Sequence, residues 1–277
     1  MMADWKTSVS AIVPTVTIND IADYVKDEHL PGSPIDSFYR GRDALLNGIN
    51  PTYAEQHESI PPLILVGIIS LTENFFREIM AEIISVCPKA KEKSAGKTLN
   101  LATIWFGYGK LEKGAFENIS FADIENIKKN LKQLLGFSID SSSQVSAPLG
   151  EFAKLCELRH AIVHSGSLLA GKNAIKLSLP SSRYPAKIKF GYPEIQEAAE
   201  VCTALVCTIN IELFKHISQR WLKEWPHTAA YANEDFHKLF KKVWAIFYSD
   251  LDSTRNLISS PLTMMKAKND IIRTGAT

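Results

Sequence analysis

Residues 63–87 of the chain read LILVGIISLTENFFREIMAEIISVC, and Pro88 follows directly. Apolar residues recur in this stretch at intervals of three and four positions, the spacing that places side chains on one face of an α-helix. They include Ile68, Leu71, Phe75, Ile79 and Ile83. Because proline does not continue a helix, the sequence predicts one long helix that ends at Cys87 and needs helical neighbours to bury its apolar face.

Four further segments share this helical periodicity. Ser120 is a candidate N-cap for a helix that ends at Gly136, and residues 149–164, 194–218 and 233–251 form three more amphipathic stretches. Such lengths and connections predict an all-α fold, a bundle of four to five antiparallel helices around one core.

The segments between these helices are predicted to be connections, with one exception. Residues 88–115, rich in lysine and glycine, and residues 138–146, rich in serine, have the composition of loops. Residues 174–191 alternate apolar and polar positions on both sides of the turn-prone sequence PSSRYP. This alternation predicts a small β-hairpin inserted in the bundle.

Three regions follow from these assignments. Residues 1–60 are an N-terminal extension of mixed structure, in which residues 17–29 are a candidate short helix. Residues 61–218 form the helical domain, and residues 219–277 form a C-terminal helical extension that packs on the bundle. Five aromatic residues in the last region could stack on bases, but their helical spacing favours a place in the core. They are Trp221, Trp225, Phe236, Trp244 and Phe247.

The composition excludes several classes of protein. Of 277 residues, 45% are hydrophobic and 22% are charged, which is typical of a compact globular chain. The formal net charge is +1, so an anionic partner would have to be bound by a local group of residues. The four cysteines lack CxxC spacing, no stretch is long and apolar enough to span a bilayer, and no secretory signal is recognisable. We therefore expect a cytoplasmic protein with no membrane partner.

The most informative polar residues lie at the end of the helix over 149–164. There the sequence ELRHAIVHSG places Arg159, His160 and His164 within six residues. One interpretation is structural, with Arg159 extending along apolar surface and His164 interacting with the last carbonyl groups of the helix. A second is a metal site, because Cys156, His160 and His164 recur at every fourth position. No fourth ligand is evident in the sequence, however, and the adjacent arginine would repel a divalent cation.

A third interpretation is a resemblance to a known family. An arginine, a polar residue, three further residues and a histidine at the end of a helix resemble the Rx4-6H motif of the HEPN superfamily, with His160 as the polar residue. The resemblance covers about residues 60–218. Within them the helix that carries Glu73, the Ser120-capped helix, the motif helix and the closing helix follow in the family's order. The resemblance implies a HEPN-like bundle.

The resemblance also implies an activity, that of an endoribonuclease that needs no metal or cofactor, as in toxins and antiphage effectors. In this chemistry an RNA 2′-hydroxyl attacks the adjacent phosphate and leaves a 2′,3′-cyclic phosphate. His164 would be the general acid/base, Arg159 would contact the phosphate, and His160 would orient His164 or contact the phosphate. The alternative is a noncatalytic HEPN-like module that binds RNA, a nucleotide or a partner protein.

Further residues and partners complete this hypothesis. Arg159 and His164 lie about 140° apart around the helix axis, so one helix does not aim both at one phosphate. The family's dimers imply a homodimer with a composite site, and a toxin-like enzyme implies an antitoxin or sensor protein as a partner. Glu73 would support the site by pairing with Arg159, or would be a surface carboxylate. Four lysines around the hairpin would guide RNA to the site, namely Lys172, Lys176, Lys187 and Lys189.

Overall fold

The computed structural model describes residues 16–26, 32–105 and 111–275. The chain divides into two compact units, Met1–Pro31 and Gly32–Thr277. In the first unit the described residues contain one turn of 3₁₀-helix, Ile21–Tyr24. The helix expected over 17–29 is thus reduced to this turn, and its last three residues lie outside the described part of the chain.

The second unit contains the helices that the rest of the chain forms. They are α1 (Pro34–Asn47), α2 (Pro51–Gln56), α3 (Ile60–Val86), α4 (Pro88–Ser94), α5 (Leu101–Trp105), α6 (Leu111–Gly114), α7 (Ile124–Asn130), α8 (Ser146–His164), α9 (Gly171–Lys176), α10 (Tyr192–Lys223), α11 (Phe236–Phe247), α12 (Asp250–Thr254) and α13 (Met264–Thr274). The described residues contain no β-strand, which confirms the predicted all-α fold class. None of their helices is long and apolar enough to cross a membrane.

The long helix α3 lies at the centre of the second unit. It contacts α1, α8, α10 and α11, and Phe75, Ala81 and Ile84 on different sides of it are all buried. A helix that is apolar on most sides must be covered by neighbours on most sides. The helix predicted over 63–87 is confirmed, and it begins slightly earlier, with prolines in its first turn.

Two predicted segments differ from the structure in detail. Residues 88–115 contain the short helices α4, α5 and α6 instead of a continuous loop. Pro88 begins α4, because a proline is well suited to the first turn of a helix. The helix expected from Ser120 begins later, at Ile124, and its N-cap is Asp123, whose side chain accepts a hydrogen bond from the Glu125 amide. The helix continues beyond α7 as a π-helical segment, Leu131–Leu135, and its expected end at Gly136 is confirmed, with a left-handed φ of 64° at that glycine.

The β-hairpin expected over 174–191 does not form. The chain has a short helix there, followed by an extended segment. Helix α9 includes the first residues of the expected first strand, 174–176, and the antiparallel pairing is a single bridge between Leu168 and Lys187. Ile175, which the alternating pattern assigned to an apolar face, is largely exposed. Buried Asn173 instead attaches α9 to α8 by a hydrogen bond to Glu157. Alternating apolar and polar residues favour a strand only where a sheet can form and bury the apolar side chains.

One hydrophobic core includes residues from Ile35 in α1 to Phe247 in α11. Both flanks of residues 61–218 therefore contribute to the same core. Trp221 and Trp225 are fully buried, and Phe236 stacks on Trp221 with ring centroids 4.1 Å apart. These three aromatic residues belong to the core, as their spacing favours.

A buried carboxylate joins the first helix of the second unit to α12. Asp36 in α1 is fully buried, and its Oδ1 accepts a hydrogen bond of 2.6 Å from the Ser249 hydroxyl. The same carboxylate accepts hydrogen bonds from the backbone amides of Asp250 and Leu251 at the start of α12. Asp36 thus satisfies helix-terminal donors that lie more than two hundred positions later in the chain.

Candidate functional site

Helix α8 holds the motif against the core. Its buried residues Leu149, Phe152 and Cys156 point inward, and the helix contacts both α3 and α10. Beyond His164 the chain turns sharply, because Gly166 and Ser167 both have left-handed φ angles, of 57° and 67°. This reversal ends the helix and leaves the His164 side chain exposed.

The two histidines of the motif lie side by side. The ring centroids of His160 and His164 are 4.8 Å apart with an angle of 51° between the ring planes. His160 is half-buried and His164 is exposed. At this distance the two rings contact each other, so His160 can help to fix the orientation of the His164 ring.

Arg159 lies on another side of the same helix turn. Its guanidinium is half-buried, and its Nε is buried without a hydrogen-bond partner among the described residues. A buried N–H donor with no acceptor is unfavourable, and an anion bound beside it would remove the cost. Residues five positions apart on a helix differ by about 140° in direction, so a phosphate at Arg159 and one at His164 would not coincide on one chain.

The thiol of Cys156 lies beneath these residues. Burial raises the pKa of the Cys156 thiol, and the nearby Arg159 guanidinium only partly opposes the shift. A thiol that stays protonated is a poor metal ligand. In the parts of the chain that the structure describes, no three His, Cys, Asp or Glu residues are grouped to hold a metal ion.

Glu73 is a buried residue with local partners. Its Oε1 accepts hydrogen bonds from the backbone amides of Phe121 and Ala122, at 2.8 and 3.0 Å, and from the Ser120 hydroxyl at 3.1 Å. Its ion pair is with Arg77, at 3.4 Å. Among the described residues Glu73 is thus buried and pairs with Arg77, whereas we expected a surface carboxylate or a pair with Arg159. Its hydrogen bonds fix the turn before α7.

The four lysines expected to guide RNA do not form one group. All four are exposed, but the Nζ of Lys176 pairs with Glu157 Oε1 at 2.5 Å. This hydrogen bond with Glu157 also raises the pKa of Lys176. Lys187 is part of the bridge with Leu168, and Lys189 lies near the carboxylates of Glu194 and Glu197 in a small surface cavity. The surface beside the motif is therefore mixed in charge.

Sequence reasoning missed Glu157 as part of this region. Glu157 lies on α8 two positions before Arg159, and it holds both Lys176 and Asn173 of α9. A single glutamate in a helix does not indicate such a role. Its two partners lie 16 and 19 positions later in α9, where the alternating pattern predicts the start of a strand.

Exposed apolar residues surround the end of α8. Val163 is 47% exposed between the two motif positions His160 and His164. Further exposed apolar side chains follow in the next segment, namely Leu168, Ile175 and Leu179. Apolar side chains grouped near a polar motif are typical of a surface that another chain covers.

Comparison of the whole chain with protein-family models, with curated proteins and with solved structures finds no match.

Proposed function

We propose that this protein is a HEPN-type endoribonuclease that cleaves RNA without a metal ion. In this proposal it acts in the cytoplasm as a toxin or antiphage effector, and an antitoxin or sensor protein controls it. The observation that carries the proposal is the grouping at the end of α8. There, within two turns of one helix, lie a pair of histidine rings and Arg159, whose buried Nε has no hydrogen-bond partner in the described residues.

The chemistry needs one proton acceptor and one charge stabiliser. His164 would take the proton of the RNA 2′-hydroxyl while that oxygen forms a bond to the adjacent phosphorus. The bond from phosphorus to the 5′-oxygen then breaks, and the leaving oxygen takes a proton to become a 5′-hydroxyl. Arg159 would stabilise the negative charge that develops on the phosphoryl oxygens. His160 would hold the His164 ring in place.

A homodimer would resolve the divergent directions of Arg159 and His164. Two copies of α8 packed about a twofold axis would bring Arg159 of one chain toward His164 of the other. The exposed Val163 between the two histidines supports such packing, since it would be covered in the dimer.

The decisive experiment compares the wild type with His164→Ala on end-labelled RNA in excess EDTA. We expect the wild type to cleave the RNA and leave 2′,3′-cyclic phosphate ends. His164→Ala should lose this activity while keeping its fold, because the side chain is exposed at a helix end. His227→Ala is the matched control, since His227 is also exposed and lies in a different turn.

The opposite results are equally clear. A folded His164→Ala protein with full nuclease activity would exclude the motif as the active site. RNA binding by the wild type with no cleavage would favour the alternative, a noncatalytic HEPN-like module.

A further inference from the structure

A second site lies between α1, α10, α11 and α12. These helices enclose a cavity of about 630 Å³, and residues 257–262 cover one side of it. Its walls are mostly apolar, with six large side chains, namely Phe214, Trp244, Phe247, Tyr248, Leu257 and Leu262. A cavity of this size and composition suits a small organic molecule.

One polar group in the wall lacks a partner. Asn210 in α10 is only 7% exposed, and its Nδ2 donates a hydrogen bond of 2.8 Å to the Phe247 carbonyl. This bond fixes which end of the amide is the oxygen, since a carbonyl only accepts. The Oδ1 of Asn210 has no hydrogen-bond partner in the described residues. A molecule with a donor would supply what this acceptor lacks.

The second polar group in the wall is also an acceptor. The carboxylate of Asp252 accepts a hydrogen bond of 3.0 Å from the Tyr39 hydroxyl, which also contacts the Cys207 sulfur at 3.0 Å. A carboxylate has room for further donors. Asn210 and Asp252 therefore both offer an acceptor to a ligand that donates a hydrogen bond, while the Thr203, Ser259 and Ser260 hydroxyls in the wall can donate or accept.

We propose that this cavity binds an apolar, ring-containing molecule that carries one N–H or O–H donor. The aromatic walls take the rings, and Asn210 Oδ1 or the Asp252 carboxylate accepts the donor. This site is independent of the motif at the end of α8, and its occupancy does not require RNA cleavage.

The test uses N-phenyl-1-naphthylamine, a neutral probe that fluoresces in apolar sites and carries a single N–H. We expect saturable binding to the full-length protein at one site. The N-methyl analogue keeps the rings but lacks the donor. It should bind about fivefold more weakly or worse, because the acceptors then stay unpaired.

Two variants locate the bound probe. Ile211 lines the cavity and is 63% exposed, so Ile211→Trp should obstruct the entrance without changing the core. We expect it to weaken binding about tenfold, because the larger indole takes up space that the probe would occupy and so reduces the apolar contact between the probe and the wall. Glu200→Trp is the control, because Glu200 is exposed on the same helix about three turns earlier and does not line the cavity.

A third variant tests the polar wall. In Asn210→Leu the preference for N-phenyl-1-naphthylamine over its N-methyl analogue should shrink. The proposal is overturned if the wild type shows no saturable binding, or if Ile211→Trp and Glu200→Trp bind the probe equally. Equal affinity of the wild type for the two probes would overturn the requirement for a donor.

Discussion

Among the motif residues, Arg159 has the environment that most clearly favours a bound ligand. Its guanidinium is half-buried, its Nε has no acceptor in the described residues, and its charge reaches the Cys156 thiol below it. A planar guanidinium offers several N–H donors in a fixed plane, which matches the oxygens of a phosphate. A lysine would offer a single ammonium group instead.

We therefore predict that Arg159→Lys retains the charge and loses activity. RNA cleavage should fall about tenfold or more, because one ammonium does not reproduce paired contacts with phosphate oxygens. Initial cleavage rates on labelled RNA measure the effect. Arg183→Lys, a change at an exposed arginine, should leave the rate unchanged, and a fully active Arg159→Lys would contradict the assigned role.

Single residues were predictable from the sequence where their neighbours are local. The contact between His160 and His164 follows from the helical period alone, since positions four apart lie on one face. The partners of Glu73 were not predictable, because Phe121 and Ala122 lie 48 and 49 positions away. Only the path of the chain after α3 brings their amides to the carboxylate.

At the scale of elements, Glu73 connects α3 to the start of α7. A buried carboxylate that accepts two amide hydrogen bonds and one from a hydroxyl is held by charge-assisted interactions. Glu73→Gln keeps the shape but removes the negative charge. We expect it to lower the free energy of unfolding by about 1–3 kcal/mol.

Urea unfolding of Glu73→Gln, followed by circular dichroism, measures this change. Glu125→Gln is the matched control, because Glu125 is exposed and its ion pair with Lys128 is a surface pair. Equal stability of the two variants would show that the turn before α7 does not depend on the charge.

His216 in α10 gives the fold a dependence on pH. Its Nε2 lies 3.0 Å from the Leu135 carbonyl at the end of the helix that α7 begins, so this nitrogen donates a hydrogen bond. Burial lowers the pKa of His216. The unfolded chain therefore takes up the proton more readily, and the stability present near neutral pH is lost as pH falls below the ordinary histidine pKa of about 6.5.

We expect the wild type to lose thermal stability between pH 7 and pH 5 more steeply than His216→Gln. Glutamine can still donate to the Leu135 carbonyl but does not titrate in this range. Melting temperatures at a series of pH values test the difference. Parallel curves for the two proteins would remove His216 as a source of acid sensitivity.

Long elements were predictable, and short ones were not. Helices α3, α8 and α10 each show several turns of apolar periodicity, and the structure has all three. Helices α4, α5 and α6 are at most seven residues long, too short for a period to be recognised. Helix α9 is held by the hydrogen bonds that Asn173 and Lys176 donate to Glu157, and no local sequence pattern predicts these contacts.

At the scale of the whole molecule, the proposed dimer makes the strongest prediction. If Arg159 of one chain acts with His164 of the other, Arg159→Ala and His164→Ala should each be inactive alone. Co-expressed with two different tags and purified as the mixed dimer, they should regain part of the cleavage, since one composite site is then intact. An inactive mixed dimer would place both residues in one chain's site.

The dimer itself can be tested through its surface. Val163→Glu should convert the protein to monomers in sedimentation experiments, because it places a charge in the apolar contact. Ile272→Glu is the control, since Ile272 in α13 is 45% exposed, close to the 47% of Val163. A dimeric Val163→Glu protein would move the interface elsewhere.

The bond between Asp36 and Ser249 has a consequence for synthesis on the ribosome. Helix α1 emerges early, but the donors for its buried carboxylate are made 213 to 215 residues later. Until then Asp36 must remain in water, because a charge enters an apolar interior at great cost without its partners. We therefore expect the second unit to close only after translation has passed α12, with the apolar face of α1 exposed on the nascent chain until that point.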